Sequence, residues 1–241
     1  MQKRLDVYLS ENNTVKSRSL AASLIKQGSV EVNGRICTKA SFAVDDNDNI
    51  RIIGEMPKYV GRGGLKLEKA LSHYRLHLDG SVCIDIGAST GGFTDCMLQN
   101  GAVKVYSVDV GTDQLDEKLR NGPRVVSMEK TDIRNCVGAL PAVDFIGIDV
   151  SFISLKLVLP SAYALLKDGG ECVALIKPQF EAGKSHLSKH GIVRDSKVHK
   201  KVCDDISEFA STLGFERGEV ISSPITGGDG NTEYLIYLRR L

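Results

Sequence analysis

An apolar run that enters a glycine-rich turn constrains the fold of this 241-residue chain more than any other feature. Residues 82–86 read Val-Cys-Ile-Asp-Ile, and Gly-Ala-Ser-Thr-Gly-Gly-Phe follows at 87–93. The apolar run predicts a buried strand, and the glycines allow the backbone to approach a ligand beside the first turn of a helix. We therefore expect a strand, a turn and a helix over residues 82–99, with a ligand site at the turn.

Further apolar runs follow along the chain and predict the rest of an α/β fold. Strands are expected at 103–109, 143–149 and 170–181, with helices at 155–166 and 197–213. Near-continuous apolar strands are typical of a parallel sheet that helices cover on both faces. Ligands of such sheets bind at the carboxyl ends of the strands, which directs Asp149 and Lys177 toward the glycine turn.

An acidic residue, Asp109, ends the second predicted strand about twenty positions after the glycine turn. A carboxylate at that place can accept hydrogen bonds from both ribose hydroxyls of a nucleoside. The turn itself follows neither G-x-G-x-x-G nor the G-K-[ST] pattern of a phosphate-binding loop. Together these observations favour an adenosyl cofactor.

The first 55 residues predict a separate small α+β domain. Two short helices are expected at 4–9 and 17–26, with Ser17 as the N-cap of the second. A strand at 30–32 enters a tight Asn33-Gly34 turn, and another strand covers 49–53. Residues 56–62 contain Pro57 and Gly61 and read as a linker, so the larger domain spans 63–241.

The net charge of +1 hides an uneven distribution. Residues 1–66 carry 11 Lys and Arg against 7 Asp and Glu, whereas the remainder carries 20 against 23. A basic N-terminal region, or head, followed by a near-neutral remainder suggests a module that binds a polyanion, joined to a second module that carries the activity.

Six scattered cysteines without a C-x-x-C pair predict small buried apolar residues in a reducing compartment, with neither a disulfide framework nor a metal site. The N-terminus has no apolar signal segment, and no run reaches the roughly 18 apolar residues needed to span a bilayer. These features predict a cytoplasmic protein. A monomer is compatible with the sequence.

The head resembles the S4 RNA-binding domain through R-L-D-x-x-L at 4–9 and S-R-S-x-A-x-x-L-I-K-x-G-x-V-x-V-N-G at 17–34. In that family a basic helix face and the following turn contact folded RNA. The resemblance therefore implies phosphate contacts, which position RNA without reading its sequence. The candidate RNA-binding residues are Arg4, Arg18, Lys26, Arg35, Lys39 and, beyond the head, Arg62.

The turn D-I-G-A-S-T-G-G-F-T at 85–94 resembles motif I of S-adenosylmethionine-dependent methyltransferases. The resemblance implies that the loop holds the methionine part, Asp109 the ribose and Asp132 the adenine amino group. The implied cofactor-binding residues are Asp85, Gly87, Ala88, Ser89, Gly91, Gly92, Phe93, Asp109, Val110, Thr131, Asp132 and Ile133.

Over its whole length the chain resembles the TlyA group, historically called hemolysin A, whose catalytic domain is similar to FtsJ-type ribose 2′-O-methyltransferases. G-R-G-G-x-K ends at Lys66, D-V-S-F-I-S-L starts at Asp149, L-I-K-P-Q-F-E contains Lys177, and G-N-T-E-Y contains Glu233. These motifs carry the family's catalytic tetrad onto those four residues. The implied fold is a Rossmann-like class I methyltransferase with a mostly parallel seven-stranded sheet, whose last hairpin covers 216–222 and 233–239.

The implied reaction is an in-line transfer of a methyl group from S-adenosylmethionine to a ribose 2′-oxygen. Positioning supplies much of the catalysis. Lys177 is the candidate base or oxyanion stabiliser, since burial and a neighbouring cation, Lys66, would disfavour its charged form. Asp149 would orient Lys177, while Glu233 and Lys66 would hold the ribose.

The resemblance implies ribosomal RNA as the partner, methylated at cytidine. The chain stops directly after the last predicted strand, which favours the family form that modifies only large-subunit 23S RNA over the form that also modifies 16S RNA. Two other classes stay open: a pore-forming hemolysin, and a non-catalytic RNA-binding factor of ribosome assembly. A methyltransferase that acts on catechols or proteins is disfavoured, because such a function would not explain the S4 head.

Overall fold

The computed structural model describes residues 2–12, 14–15, 18–54, 57–227 and 230–241. Its internal contacts divide the chain into two compact units, Met1–Pro57 and Lys58–Leu241. The predicted helix cap Ser17 lies outside the described residues. Among the described helices, none is both long and apolar enough to cross a membrane.

The smaller unit combines two helices with short antiparallel strands. The elements are β1 (Lys3–Arg4), α1 (Leu5–Glu11), α2 (Arg18–Lys26), β2 (Val30–Val32), β3 (Arg35–Ile36), β4 (Ala43–Val44) and β5 (Ile50–Ile52). Strands β3, β2 and β5 form one antiparallel sheet, and β1 pairs with β4. Leu5, Leu9, Leu24 and Ile25 are fully or almost fully buried between the helices and the strands.

Two local predictions for this unit have different outcomes. The tight turn is confirmed, since Asn33 and Gly34 both have positive φ angles, of 51° and 79°, between β2 and β3. The first helix was predicted to begin at Arg4, which is wrong because Arg4 has an extended backbone and pairs with Ala43 in β4. A two-residue strand is too short to produce a recognisable alternation in the sequence.

The basic character expected of the head changes with the observed boundary. Lys58, Arg62 and Lys66 belong to the larger unit. Residues 1–57 therefore carry eight basic against seven acidic residues, and the larger unit carries 23 of each. The smaller unit is thus nearly neutral, and the strongly basic head expected from the sequence is not observed.

A buried carboxylate, Asp6, fastens the smaller unit. The Arg4 Nε donates to Oδ1 of Asp6 at 2.9 Å, and the Arg18 Nε donates to Oδ2 at 2.9 Å. The carboxylate thereby joins β1, α1 and α2. The hydrogen bond from Arg4, with the nearby Arg18, lowers the pKa of Asp6 to about 2.

The larger unit contains seven strands in one sheet. They are β6 (Val82–Ile86), β7 (Lys104–Val108), β8 (Val125–Met128), β9 (Val143–Ile148), β10 (Leu166–Ile176), β11 (Phe215–Ser222) and β12 (Tyr234–Arg240). Their spatial order is β11-β12-β10-β9-β6-β7-β8. Strands β6 to β10 run parallel, and β12 is antiparallel to both of its neighbours. This confirms the predicted fold class, including the terminal hairpin. The strand predicted at 170–181 is wrong at its end, because β10 ends at Ile176 and Pro178 begins a short helix over Pro178–Glu181.

Helices cover the sheet on both faces, as predicted. They are α3 (Gly63–Tyr74), α4 (Gly92–Gln99), α5 (Glu117–Arg120), α6 (Leu155–Leu165), α7 (Pro178–Glu181) and α8 (Ser196–Thr212), with 3-10 turns at 133–135 and 184–186. Ile146 of β9 packs in the core cluster of α6 and α8, whereas its neighbour Phe145 packs with Leu67 of α3 and Met97 of α4. Successive side chains of one strand therefore serve two separate cores.

All six cysteines are free and buried, which confirms their predicted role as small apolar side chains. Burial raises the pKa of the Cys83 and Cys96 thiols to about 12. Neither thiol is therefore ionised near neutral pH.

We expect Asp6→Asn to destabilise the smaller unit by about 1–3 kcal/mol at pH 7, because the hydrogen bonds from Arg4 and Arg18 lose the charge of their acceptor. The folded-state pKa of Asp6 lies below its ordinary value of 3.8, so its contribution is complete above that value and is lost as the pH falls toward 2. Urea unfolding of the full chain, followed by NMR signals of the smaller unit from pH 7 to pH 2.5, measures this. The exposed Asp46→Asn is the control, and parallel stability curves for wild type and Asp6→Asn would contradict the assignment.

Candidate active site

The site lies where the direction of strand addition reverses. The chain builds β6, β7 and β8 outward, then returns to place β9 on the other side of β6. At the carboxyl ends of these two strands, Gly87 has a φ of +85°, and a Cβ atom there would lie 2.6 Å from the Asp149 carbonyl oxygen. The Asp149 N–H in turn donates to the Ile86 carbonyl at 2.9 Å. Only glycine fits at position 87, and ligands of open α/β sheets bind at such a reversal.

A cavity of about 290 Å³ opens beside this contact. The start of α3, the glycine turn, the ends of β9 and β10, and the loop before β12 all contribute to its wall. The lining residues are Arg62, Gly63, Lys66, Gly87, Ala88, Ser89, Thr90, Gly92, Phe93, Asp149, Ser151, Lys177, Ile225, Thr226 and Gly227. Four of them are glycines, which leave room for a ligand against the backbone.

The four predicted catalytic residues form one row of alternating charge. The Lys177 Nζ lies 2.6 Å from Oδ1 of Asp149, and the Lys66 Nζ lies 3.6 Å from Oδ2 of the same carboxylate. Lys66 is 2.7 Å from Oε2 of Glu233. Lys66, Lys177 and Glu233 are each less than a tenth exposed, so four ionisable groups from four distant segments meet in a largely dry place.

The row places a carboxylate between the two ammonium groups. The sequence had suggested that Lys66 would act on Lys177 as a neighbouring cation, but Asp149 contacts both lysines and separates them. Each buried charge therefore has an opposite charge beside it, which offsets part of the cost of removing it from water. Truncation of Asp149 would leave Lys177 without its acidic partner, and truncation of Lys66 would leave Glu233 without its basic partner.

Ser151 is a member of the site that the sequence reasoning did not single out. The Lys177 Nζ donates to the Ser151 Oγ at 2.8 Å. Together with Asp149, Ser151 occupies two of the three directions around the nitrogen. Because Lys177 lines the cavity, the third direction remains for a substrate atom. The D-V-S-F motif was visible in the sequence, but nothing in it showed which polar atom the serine meets.

Phe152 was also missed. Its side chain is 91% exposed, its backbone has a φ of +64°, and its ring lies 5.0 Å from that of Phe180. An exposed aromatic residue in a left-handed conformation is costly for stability. A positive φ of a phenylalanine has no sequence signal.

The predicted cofactor residues divide into several groups. Gly87, Ala88, Ser89, Gly92 and Phe93 line the cavity. Asp109 lines an adjoining pocket, where its carboxylate accepts the N–H of Ser89 at 2.8 Å and that of Gly111 at 2.7 Å. Each carboxylate oxygen keeps a further lone pair for a ligand hydroxyl. Glu129, which immediately follows β8, lines the same pocket and was not predicted.

Asp85 was predicted as a cofactor contact, and the structure corrects this. Its side chain is fully buried under the glycine turn, where Oδ2 accepts the Thr94 N–H at 2.8 Å and the Thr94 hydroxyl at 2.6 Å. Burial raises the pKa of Asp85 to about 7, against the lowering effect of the Thr94 hydrogen bonds. Asp85 holds the turn to α4 from below instead of lining the cavity.

Five further predicted cofactor residues do not line either pocket. Gly91 has a φ of +96°, and a Cβ atom there would meet the Leu119 and Leu115 side chains. Val110 is 74% exposed, and Ile133 is buried in the core. The Thr131 hydroxyl donates to the Glu129 carbonyl. Asp132 is paired with Arg134, whose hydrogen bonds lower the pKa of Asp132, so an adenine amino group would share that carboxylate.

The predicted RNA-binding residues belong to two places. Arg4, Arg18, Lys26, Arg35 and Lys39 are exposed on the smaller unit, where the first two also pair with Asp6. Arg62 precedes α3 and lines the cavity of the larger unit. It lies next to the candidate catalytic site and is not part of the smaller unit.

A seven-stranded, mostly parallel sheet with an antiparallel hairpin, and a glycine-lined cavity at its reversal point, define a Rossmann-like methyltransferase. The family model for FtsJ-like methyltransferases matches residues 59–240, and the S4 domain model matches residues 3–50. The chain belongs to the FtsJ-like methyltransferase family and carries an S4 domain before the catalytic domain.

Individual relatives agree with this family. The chain is 46% identical to a provisionally named rRNA methyltransferase, YqxC, of Bacillus subtilis, over 98% of this chain and 85% of that protein. It is 38% identical to the 16S/23S rRNA (cytidine-2′-O)-methyltransferase TlyA of Mycobacterium tuberculosis, over 98% and 89%. The 23S rRNA (cytidine-2′-O)-methyltransferase TlyA of Campylobacter jejuni is 33% identical, over 97% and 98%.

A solved structure from Streptococcus thermophilus, provisionally named a hemolysin, is also similar. It shares 45% identity, with a TM-score of 0.79 over 99% of this chain and 88% of that one.

We expect Ser151→Ala to lower kcat for methyl transfer about tenfold to a hundredfold, because Lys177 loses one of the two contacts that fix its nitrogen. The affinity for the methyl donor should stay within about twofold, since that part of the cavity is unchanged. Ser151→Thr keeps a hydroxyl and is the matched control. Equal kcat values for the alanine and threonine variants would show that Ser151 does not position Lys177.

Proposed function

We propose that this protein transfers the methyl group of S-adenosylmethionine to the ribose 2′-oxygen of a cytidine in ribosomal RNA. The observation that carries the proposal is the row of Lys177, Asp149, Lys66 and Glu233. The first three line the glycine-rich cavity, and the buried Glu233 contacts Lys66. A row of two donors and two acceptors suits a substrate hydroxyl, which has one proton to give and lone pairs to accept.

The residues present fit S-adenosylmethionine. The glycine turn allows close approach of the backbone, and α4 starts at Gly92 on the cavity wall, where the positive end of the helix suits a carboxylate. Asp109 offers acceptors for ribose hydroxyls. When bound, the cofactor supplies an electrophilic methyl carbon: the 2′-oxygen bonds to this carbon while the carbon–sulfur bond breaks and sulfur keeps the electron pair.

Lys177 is the residue proposed to act on the 2′-oxygen. Asp149 and Ser151 contact the Lys177 nitrogen from two sides. Toward the cavity, this nitrogen can accept the hydroxyl proton as an amine, or donate a hydrogen bond to the developing oxyanion as an ammonium. The same contacts fix the nitrogen in both cases. Lys66 and Glu233 would then hold the neighbouring ribose hydroxyls.

Phe152 is proposed as a platform for the target base. A ribose that reaches the cavity brings its base out of the RNA stack, and an exposed ring beside Ser151 can replace the lost stacking. The contact with Phe180 supports the ring from behind.

The proposed substrate is large-subunit RNA. The TlyA protein of M. tuberculosis is named for both 16S and 23S RNA and that of C. jejuni for 23S RNA, so 23S RNA is common to both. The S4 domain supports an RNA partner, and action on ribosomes would place the protein in the cytoplasm.

Transfer of a labelled methyl group from S-adenosylmethionine to isolated ribosomal subunits tests the proposal. Label in 23S RNA, with a primer-extension stop at one cytidine at low nucleotide concentration, is the expected result. Label in 16S RNA would extend the substrate range, and no label in either RNA would refute the proposed function.

We expect Lys177→Ala to reduce methyl transfer by at least about a hundredfold while the affinity for S-adenosylmethionine stays nearly unchanged. The reason is that Lys177, which Asp149 and Ser151 hold in place, is proposed to act on the 2′-oxygen and not to bind the methyl donor. Single-turnover transfer and calorimetric titration measure the two quantities. The exposed Lys69→Ala of α3 is the control. Turnover near the wild-type value in Lys177→Ala would remove Lys177 from the mechanism.

A further inference from the structure

The most basic stretch of the chain lies in the methyltransferase unit, after the catalytic lysine. Residues 184–201 contain six Lys and Arg against one acidic residue, Asp195. Because the whole larger unit has 23 of each sign, the remainder of that unit is net negative. The cations are Lys184, Lys189, Arg194, Lys197, Lys200 and Lys201, and all are exposed. We call these six residues the basic surface.

The basic surface is almost free of ion pairs. Within the described part of the chain, Lys200 is its one member with an acidic partner, Asp204 at 3.1 Å. Elsewhere in the unit, exposed cations are commonly neutralised, as in Arg134 with Asp132 and Lys167 with Asp144. Charges left unpaired over a compact stretch raise the local potential and attract a polyanion.

Three of these lysines share the solvent face of α8. Lys197, Lys200 and Lys201 lie in its first two turns, and the opposite face of the helix is apolar and buried. Of the three, only Lys197 stands in the first turn, where the partial positive charge of the helix N-terminus opposes a cation, and the N-cap carboxylate of Asp195, which accepts the Lys197 N–H at 2.8 Å, offsets that effect. Like charges on one exposed face add to the local potential that attracts a polyanion.

Two backbone hydrogen bonds close the loop part of the basic surface into a turn. The Gly191 N–H donates to the Ser188 carbonyl, and the Ser188 N–H donates to the Ile192 carbonyl, both at 2.9 Å. This turn exposes Lys189 at its tip. The loop is therefore held in one conformation by its own backbone.

A buried amide connects the basic surface to the catalytic row. Asn231 accepts the Val193 N–H at 3.2 Å and donates to the Gly191 carbonyl at 3.2 Å. Two residues later, Glu233 contacts Lys66. His199 of α8 also donates from Nε2 to the Val193 carbonyl at 2.9 Å. The cations are thus fixed relative to the loop that carries a catalytic carboxylate.

We propose that the basic surface binds the phosphates of the RNA that flank the target nucleotide, as a second RNA-binding site distinct from the S4 domain. The inference rests on the proposed function and assigns part of substrate recognition to the catalytic unit. RNA phosphates suit it because exposed, unpaired cations contact a backbone without reading sequence.

The test is the salt dependence of RNA binding by a fourfold variant, Lys189→Gln, Arg194→Gln, Lys197→Gln and Lys201→Gln, in the full chain. With a large-subunit RNA fragment, the slope of log K against log salt should fall by about three, roughly 0.7 for each of the four lost phosphate contacts. The KM for RNA should rise about tenfold or more, while kcat at saturating RNA and the affinity for S-adenosylmethionine stay unchanged. Replacing the three lysines by arginine should preserve the slope.

The matched control removes the same charge from other exposed positions, Lys69, Lys104, Lys118 and Arg217, again by glutamine. Equal losses in both fourfold variants would reduce the effect to net charge and overturn the proposal. The proposal would also be overturned if the fourfold variant kept the wild-type salt slope with RNA but lost binding to vesicles of anionic phosphatidylglycerol. That result would make the surface a membrane contact. RNA affinity is measurable without turnover, so a wild-type protein that binds RNA through this surface but transfers no methyl group would refute only the proposed function.

Discussion

The close approach of two backbones at the reversal point of the sheet underlies the rest of the site. Gly87 and Asp149 end adjacent parallel strands, and the space between their main chains excludes any side chain at position 87. The approach brings the turn that would hold the methyl donor against the residue that organises the acceptor side. Donor and acceptor geometry are therefore set by one backbone contact. Such geometric control matters because a displacement of about 1 Å is enough to impair an in-line transfer.

The charges of the site depend on that backbone contact. Asp149 carries one buried lysine on each oxygen, and Glu233 balances the outer lysine. Four buried ions would be unfavourable singly, but in a row each is partly compensated by its neighbour. A compensated row is also pre-organised, so little reorientation is needed when a hydroxyl enters. The same arrangement makes the members interdependent, and single substitutions should have non-additive effects.

Much of this architecture could be predicted from the sequence. Long apolar runs marked the strands, and charged residues at the ends of β9 and β10, with the family motifs, predicted the four residues that meet in the row. What remained hidden depends on three-dimensional neighbours. Asp85 looked like a cofactor contact because it stands in the motif, but its carboxylate faces Thr94 below the turn. Ser151 and Glu129 carry no pattern of their own. The head counted as basic because the charge count over residues 1–66 included Lys58, Arg62 and Lys66, which belong to the larger unit.

The burial of every native thiol has a practical consequence for studying the enzyme in motion. A maleimide reagent needs an accessible thiolate, and Cys83 and Cys96 present neither access nor ionisation near neutral pH. A cysteine introduced at the exposed Ser185 would thus become the preferred attachment point for a fluorophore without removal of any native cysteine. The otherwise unmodified protein could then report, by a change in emission, the moment at which a ribosome arrives.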